Sequence, residues 1–317
     1  MKDNDLPLLS VCMITYNHEK FIRKAIEGVL RQKTNFKIEL VISNDNSTDQ
    51  THQEIISATK DIPSHIKLAY YNQEENLGMV PNFTFSLESC KGKYIALCEG
   101  DDYWTDPLKL QKQIDFLEKN KDFVVCCHNA TVIDENENII KQKKQPRLNV
   151  DRIYSSQELK QGAWLLTLSI VFRNNSEIIK IFSNSESLFN SDMLLFSILG
   201  KYGKGYYMED IQPAMYREHS GGVWSPRKND KYYILWHRYQ LEKVLQRLHY
   251  KDKNVFTFFQ KRITDMNREL HRNLYLLDQK KRKELNKDYF KWNKIELVRI
   301  KFFLKNNLNY LKLKLFS

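Results

Sequence analysis

The chain has no run of about 20 apolar residues, the length a membrane-spanning helix needs. Its first residues, MKDNDLP, are polar, and the apolar run after them is only a strand's length, so no secretory leader is expected. There is no paired CxxC spacing. The five cysteines, Cys12, Cys90, Cys98, Cys126 and Cys127, are odd in number and mostly sit inside apolar runs, which points to reduced core thiols of a cytoplasmic protein. A Walker-type glycine loop and a GxGxxG turn are both missing, so two standard cradles for nucleotide phosphates are excluded.

What is present is a chain of 317 residues, 42% hydrophobic, long enough for one large domain and an appendage. Charge divides it. From Ser225 to Ser317 there are 24 Lys and Arg against 9 Asp and Glu, a net of +15; the whole chain carries +11, which leaves the first 224 residues at −4. A mildly acidic globular part, 1–225, is followed by a strongly basic one, 226–317, and two roles are expected from the two regions.

Within the first region, apolar strand-like runs alternate with amphipathic stretches. Leu8 to Thr15, Phe36 to Ser43, Ile66 to Tyr71 and Tyr94 to Cys98 read as buried strands. Phe21 to Leu30, about Thr48 to Thr59, and Val80 to Ser89 read as helices between them. This alternation predicts an α/β fold with a Rossmann-like, mostly parallel sheet flanked by helices, whose ligands lie beyond the C-terminal strand ends. The unusual residues fall at those ends: Tyr16 and Asn17, Asp45, Asn76 and Gly78, and then Glu99, Asp101 and Asp102 in LCEGDDYW. Carboxylates gathered at a sheet mouth repel one another unless a cation sits among them, and a divalent ion held by few protein oxygens is the usual partner of substrate phosphates. The alternative is an acidic turn capping the helix that begins near Pro107, a task Thr105 or Asp106 could perform. An aromatic ring for a base, an acid for a base or ribose, and metal-binding carboxylates for a diphosphate together make a rim suited to a nucleotide diphosphate.

The ordered segments SVCMITYN, VISNDNSTD, ENLGMVPNF and GKYIALCEGDDYW, followed by DPLKLQKQIDFL, resemble the family 2 glycosyltransferases and their A-type, Rossmann-like fold. The resemblance covers about Leu8 to Trp224. It implies that Thr15, Tyr16, Asn17, Asp45, Asn76, Gly78, Glu99, Asp101 and Arg217 bind a nucleotide sugar, with Tyr16 packing on the base and Asp45 hydrogen-bonding it. Glu99 and Asp101 occupy the two acidic positions of the family's DxD motif. Asn44 stands in place of a usual acid, and Glu99 in place of the more common Asp. The implied cofactor is Mn2+ or Mg2+, with Asp101, Asp102 and His219 as metal ligands.

Further along, Leu110, Ile114 and Leu117 mark a helix and Phe123 to Ala130 another strand, with His128 as a buried polar residue. The stretch from Asp134 to Asp151 is polar and Lys-rich and reads as a surface hairpin or mobile loop, after which Trp164 to Phe172 returns to the core. Asp192 opens an apolar helix. In the resembling family an acid at this place is the catalytic base, and an acceptor hydroxyl attacking an anomeric carbon does need a proton acceptor; the helix dipole would favour Asp192 there in any case. The segment Tyr216 to Trp224, after a short strand near Ile211 to Tyr216, has paired glycines beside Arg217 and His219 and suits a loop closing over the donor, with metal or diphosphate contacts from its cationic and ligand groups; the alternatives are that Arg217 braces the fold and that His219 is only a loop residue.

The reading as a whole is an inverting glycosyltransferase that moves a sugar from a nucleotide diphosphate sugar, a UDP-sugar from the base positions, to a hydroxyl of a glycan or lipid-linked acceptor in cell-surface polysaccharide synthesis. Two rivals are a nucleotidyltransferase, whose basic glycine-rich loop is not visible, and a nucleic-acid-binding protein acting through the basic tail, which has no recognition motif. In that tail, Leu297, Ile300, Leu304, Leu308, Leu311 and Leu315 recur at spacings of three and four among interleaved lysines, as in a helix lying on an anionic membrane; bracing the domain or forming an oligomer are the alternatives. Binding to vesicles is expected to rise with anionic lipid content and fall with salt, each lysine near the surface contributing about 1 kcal/mol. Flotation of the full chain against one ending at Lys287 checks this, and a full chain that ignores anionic vesicles contradicts it.

Overall fold

Seven consecutive residues of LSVCMIT and of IELVISN are almost wholly shielded from water, and such runs, apolar on both faces, form central strands of a parallel sheet. The computed structural model describes residues 6–148, 150–183, 191–222 and 229–292. It divides into two compact units, Met1–Ser225 and Pro226–Ser317.

The first unit begins with β1 (Leu9–Thr15), α1 (Ile22–Leu30), β2 (Ile38–Asn44), α2 (Thr51–Ala58), β3 (Ile66–Asn72), α3 (Met79–Ser89), β4 (Tyr94–Leu97), α4 (Lys109–Lys119) and β5 (Phe123–Cys127). It continues with β6 (Ala130–Ile133), β7 (Ile139–Lys141), β8 (Arg152–Tyr154), α5 (Ser156–Lys160), β9 (Val171–Arg173), α6 (Ser176–Ser183), α7 (Ser191–Leu199), β10 (Lys204–Tyr207) and β11 (Ala214–Arg217). The main sheet has the order β3-β2-β1-β4-β9-β5-β10-β8. Its strands run parallel except β9, antiparallel to β4 and β5, and the edge strand β8, antiparallel to β10. The expected mostly parallel sheet is therefore present, with β9 inserted between its two parallel halves.

Register decides what meets at the rim. Thr15 pairs with Asn44, so β1 and β2 end level and the Asp45 N–H reaches the Thr15 carbonyl at 2.9 Å. Strand β4 stops earlier, with Leu97 opposite Cys12, and the chain then crosses beneath the end of β1, where the Gly100 N–H donates to the Ile14 carbonyl at 3.0 Å. A Cβ at Gly100 would lie 2.6 Å from Thr15 Oγ1, so a glycine is required for this crossing.

The sequence pattern predicts one strand from Phe123 to Ala130, but the chain forms two, in different sheets. Asn129 causes the break. Its side-chain oxygen accepts the Ala130 and Gln145 N–H groups and its amide donates to the Gln145 carbonyl, replacing ladder bonds, and β6 leaves to join a second sheet of order β11-β6-β7. The polar stretch after β6 is a hairpin, as expected. Leu165, Leu166 and Leu168 enter the core as expected, whereas Trp164 is 55% exposed. All five cysteines are buried and free.

The second unit holds α8 (Lys231–Leu248), α9 (Lys253–Arg272) and α10 (Gln279–Trp292). Asp230 and Asp252 cap the first two by accepting the Tyr233 and Val255 N–H groups. Part of the unit's basic charge is paired inside it: buried Glu242 binds Arg238 and Arg262, and Lys243 meets Asp288, which also accepts from Tyr239. The helix expected from Lys294 to Phe316 lies outside the described residues. No helix among those described is long and apolar enough to cross a membrane.

Lys109, 1% exposed, has its ammonium 2.7 Å from Gln113 Oε1 and 4.1 Å from the Trp104 ring centre, with no carboxylate among the described residues bonded to it. Burial lowers its pKa to about 7. Between pH 7 and roughly 10.4 the unfolded chain binds a proton that the folded chain does not, so this group's contribution to stability rises with pH across that window. At about 1.36 kcal/mol per unit, the stability difference between Lys109→Met and the unchanged chain is expected to fall by about 4 kcal/mol from pH 7 to pH 10. Urea unfolding at both pH values checks it; a difference independent of pH contradicts it.

Candidate active site

Two turns are stitched together where β1 and β2 end. Asn17 adopts a left-handed conformation, φ 54°, and its side-chain oxygen accepts the Thr48 N–H at 2.8 Å, while its own N–H donates to Ser47 Oγ. The His18 N–H donates to Thr51 Oγ1 at 2.8 Å, and Tyr16, 44% exposed, is left on the rim. Asp45 is buried, and its two carboxylate oxygens accept the Leu77 and Gly78 N–H groups at 2.7 and 3.0 Å. Asn76 donates to the Asp45 carbonyl, and Gly78, at φ 87°, makes the turn into α3. The rim residues expected from the sequence, Thr15 to Asn17, Asp45, Asn76 and Gly78, thus sit together, with Asp45 holding the loop between β3 and α3.

The acidic turn is held from its other side. Tyr103 pairs with Met215 in both directions, N–H to carbonyl at 3.2 and 2.8 Å, which ties the turn to β11. Asp102 Oδ1 accepts the Arg217 N–H at 2.8 Å. The Arg217 guanidinium, on a residue only 4% exposed, donates to the Asp101 and Asp134 carbonyls and to Glu137, and stacks 4.6 Å from the Phe21 ring centre. Two residues further on, His219 Nε2 lies 3.0 Å from Asp101 Oδ2, and His18 Nε2 lies 4.0 Å from the same oxygen. Among the described residues, His18, Asp101 and His219 offer one ligand atom each within 4.8 Å of one another, the group that could hold a metal ion.

This differs from the expected ligand set in two respects. Asp102 is adjacent but is turned to the Arg217 backbone and is not brought into the group. His18 enters it, although in the sequence it reads only as part of a polar turn, because nothing in local spacing links residue 18 to residue 219. Of the two roles the sequence leaves open for Arg217, donor contact or brace, its hydrogen bonds to the chain's own groups favour the brace.

Crowding splits the three acids. Burial, then Asp101 and Asp192, raises the Glu99 carboxyl to about 8, and burial, Asp101 and Glu99 push Asp102 well above the usual carboxylate range. Burial acts upward on Asp101 too, but His18 and His219 outweigh it and hold Asp101 below its ordinary value. Burial lowers His18, with Asp101 opposing. Asp192 lies in the first turn of α7, its Oδ1 accepting the Met193 N–H at 2.8 Å; burial raises its pKa, and its charge helps to raise that of Glu99, so the two carboxyls lie within electrostatic reach of each other.

Residues 10–176 match the model of the family described as Glycosyl transferase family 2. The chain belongs to this family. Among its relatives, an uncharacterized protein of Mycobacterium tuberculosis is 34% identical over 223 residues, 70% of this chain and 62% of that protein. An uncharacterized glycosyltransferase of Methanocaldococcus jannaschii is 31% identical over 190 residues, 59% of this chain and 62% of that protein. The chain thus matches about three fifths of the length of these curated relatives. Among solved structures, S. aureus TarS 1-349 in complex with UDP-GlcNAc aligns with a TM-score of 0.55 at 15% identity over 96% of this chain and 80% of that one. The mannosyltransferase PcManGT from Pyrobaculum calidifontis, in complex with GDP-Man and Mn2+, aligns with a TM-score of 0.53 at 12% identity, over 96% and 87% of the two chains. The fold is thus the A-type glycosyltransferase fold.

Because the Arg217 guanidinium is bonded internally, Arg217→Met is expected to lower the unfolding free energy by about 2 kcal/mol, the scale for leaving the Asp101 and Asp134 carbonyls without the donor they had. Guanidinium chloride titration checks it. Unchanged stability with selectively weakened nucleotide binding would return Arg217 to the donor site.

Proposed function

We propose that the protein is a metal-dependent, inverting glycosyltransferase that moves a sugar from a UDP-sugar to a hydroxyl of a glycan or lipid-linked acceptor in cell-surface polysaccharide synthesis. The observation that carries this is the meeting of Asp101 and His219, 118 residues apart in sequence, at the C-terminal ends of the central strands, with Asp192 within electrostatic reach of neighbouring Glu99. Nucleotide-sugar donors of this class are named with two similar solved structures, and Mn2+ with one.

In this reading the base packs on Tyr16, whose exposure leaves its face available. Asp45 accepts from the base through the lone pairs that its bonds to Leu77 and Gly78 leave over, four being available on a carboxylate. Asn76 and Gly78 form the wall that Asp45 holds in place, and Thr15, Asn17 and Glu99 line the way to the ribose. Asp101 and His219 are suited to hold a divalent ion, since one is kept ionised among neutralised neighbours and the other aims Nε2 at it. The chemistry such an ion supplies is neutralisation of the diphosphate leaving group. The acceptor oxygen attacks the anomeric carbon on the face opposite the diphosphate, the bond to the diphosphate oxygen breaks, and the hydroxyl proton passes to Asp192. A carboxyl whose pKa burial has raised is a better proton acceptor than a fully solvated one.

Asp192→Asn is expected to slow transfer by about 10²- to 10⁴-fold while leaving fold and donor affinity nearly unchanged. Release of free UDP from a panel of UDP-sugars, with calorimetry on UDP itself, measures both. Turnover near that of the unchanged protein would leave Asp192 a helix-end residue only.

A further inference from the structure

We infer that His18 is a third ligand of the divalent ion at Asp101 and His219, and that the resulting pair of imidazoles with one carboxylate selects a first-row transition ion such as Mn2+ over Mg2+. The inference rests on the reading of Asp101 and His219 as metal ligands and adds to it a residue and a selectivity.

The distances of both imidazoles from Asp101 fit one ion. Two donors each about 2.1 Å from a metal stand about 3.0 Å apart at right angles and about 4.2 Å apart across it. His219 Nε2 and His18 Nε2 lie 3.0 and 4.0 Å from Asp101 Oδ2. His18 is also oriented for this task. Its Nδ1 lies 3.2 Å from Thr15 Oγ1, a hydroxyl that can accept the Nδ1 proton and so leave the Nε2 lone pair free toward Asp101. Thr15 is itself fixed, being buried at the end of β1 with Gly100 packed under it, and the His18 backbone is held by Thr51. Phe21 stands beside both imidazoles, its ring centre 6.3 Å from that of His18 and 4.9 Å from that of His219, and limits their rotation. A histidine placed only to donate to a diphosphate would not need an Nε2 beside a carboxylate that a second imidazole already faces.

The selectivity follows from the donor set. Mg2+ prefers oxygen ligands and keeps several waters, whereas imidazole nitrogens favour transition ions along the first row. Three protein ligands also hold an ion before any nucleotide arrives, and they leave its remaining positions for water and diphosphate oxygens.

The test uses the full chain and Mn2+ alone, then Mn2+ with UDP, read by electron paramagnetic resonance. Nitrogen couplings from two imidazoles are expected on the bound Mn2+, and one remains in His18→Ala. Mn2+ affinity should fall by at least about 10-fold in that variant, and Mg2+ should displace Mn2+ from the unchanged protein only at a large excess. A single nitrogen coupling in the unchanged protein, equal Mn2+ affinity in His18→Ala, or displacement by equimolar Mg2+ overturns the inference. The first of these needs no variant to fold. Asp101→Ala separates the two levels: if it binds Mn2+ as tightly as the unchanged protein, the metal reading itself fails, whereas an effect of Asp101→Ala without one of His18→Ala removes only the third ligand.

Discussion

The backbone pairing of Tyr103 with Met215 is the constraint on which the site's geometry depends, because the acidic turn after β4 and the loop after β11 share no sequence neighbourhood and this pairing sets the register in which they meet. Once the two N–H to carbonyl bonds are made, Asp102 falls opposite the Arg217 N–H, and two residues later His219 arrives at Asp101. The β6–β7 hairpin then closes the arrangement from outside. Asp134 and Glu137 take the Arg217 fork, and Glu135 accepts the Ser220 N–H at 2.9 Å, so both flanks of His219 are held. Breaking the pairing would leave each residue present and the site undone.

Electrostatics follow from that packing. Three carboxyls in one turn cannot all stay ionised where water is scarce, and the fold resolves the conflict unequally. Two imidazoles stand at Asp101 and none at Asp102, so the charge settles on Asp101, while Glu99 and Asp102 are driven toward their neutral forms. One anionic oxygen flanked by two nitrogen donors suits a cation better than a diffuse acidic cluster would.

How much of this the sequence discloses depends on the range of the interaction. Strands β1 and β2 are mostly apolar because both faces are covered, with Ser10 and Glu39 satisfying each other inside, and that pattern is local, so their extents and the rim they form can be read from the residues alone. The same holds for α4, whose stripe of Leu110, Ile114 and Leu117 faces the core. The break between β5 and β6 cannot be read this way, because VVCCHNA is uniformly strand-like until Asn129 finds Gln145, 16 residues ahead. Arg217 likewise reads as either a donor contact or a brace until its partners are known, and two of them, Asp134 and Glu137, lie in a hairpin whose own sequence signals only a polar surface. His18 shows no sign of its partner at all, since its position is set by the crossing of β4 beneath β1 and by the return of β11.

The central claim is that Asp101 and His219 hold the ion that receives the donor's diphosphate. Anomalous diffraction from crystals grown with Mn2+ and UDP measures this directly. The account predicts a manganese peak about 2.1 Å from an Asp101 carboxylate oxygen and from His219 Nε2, in contact with the UDP phosphates. A UDP molecule bound in the crevice with no manganese at Asp101, or a peak whose protein ligands are Asp102 or Asp192 instead, would contradict it.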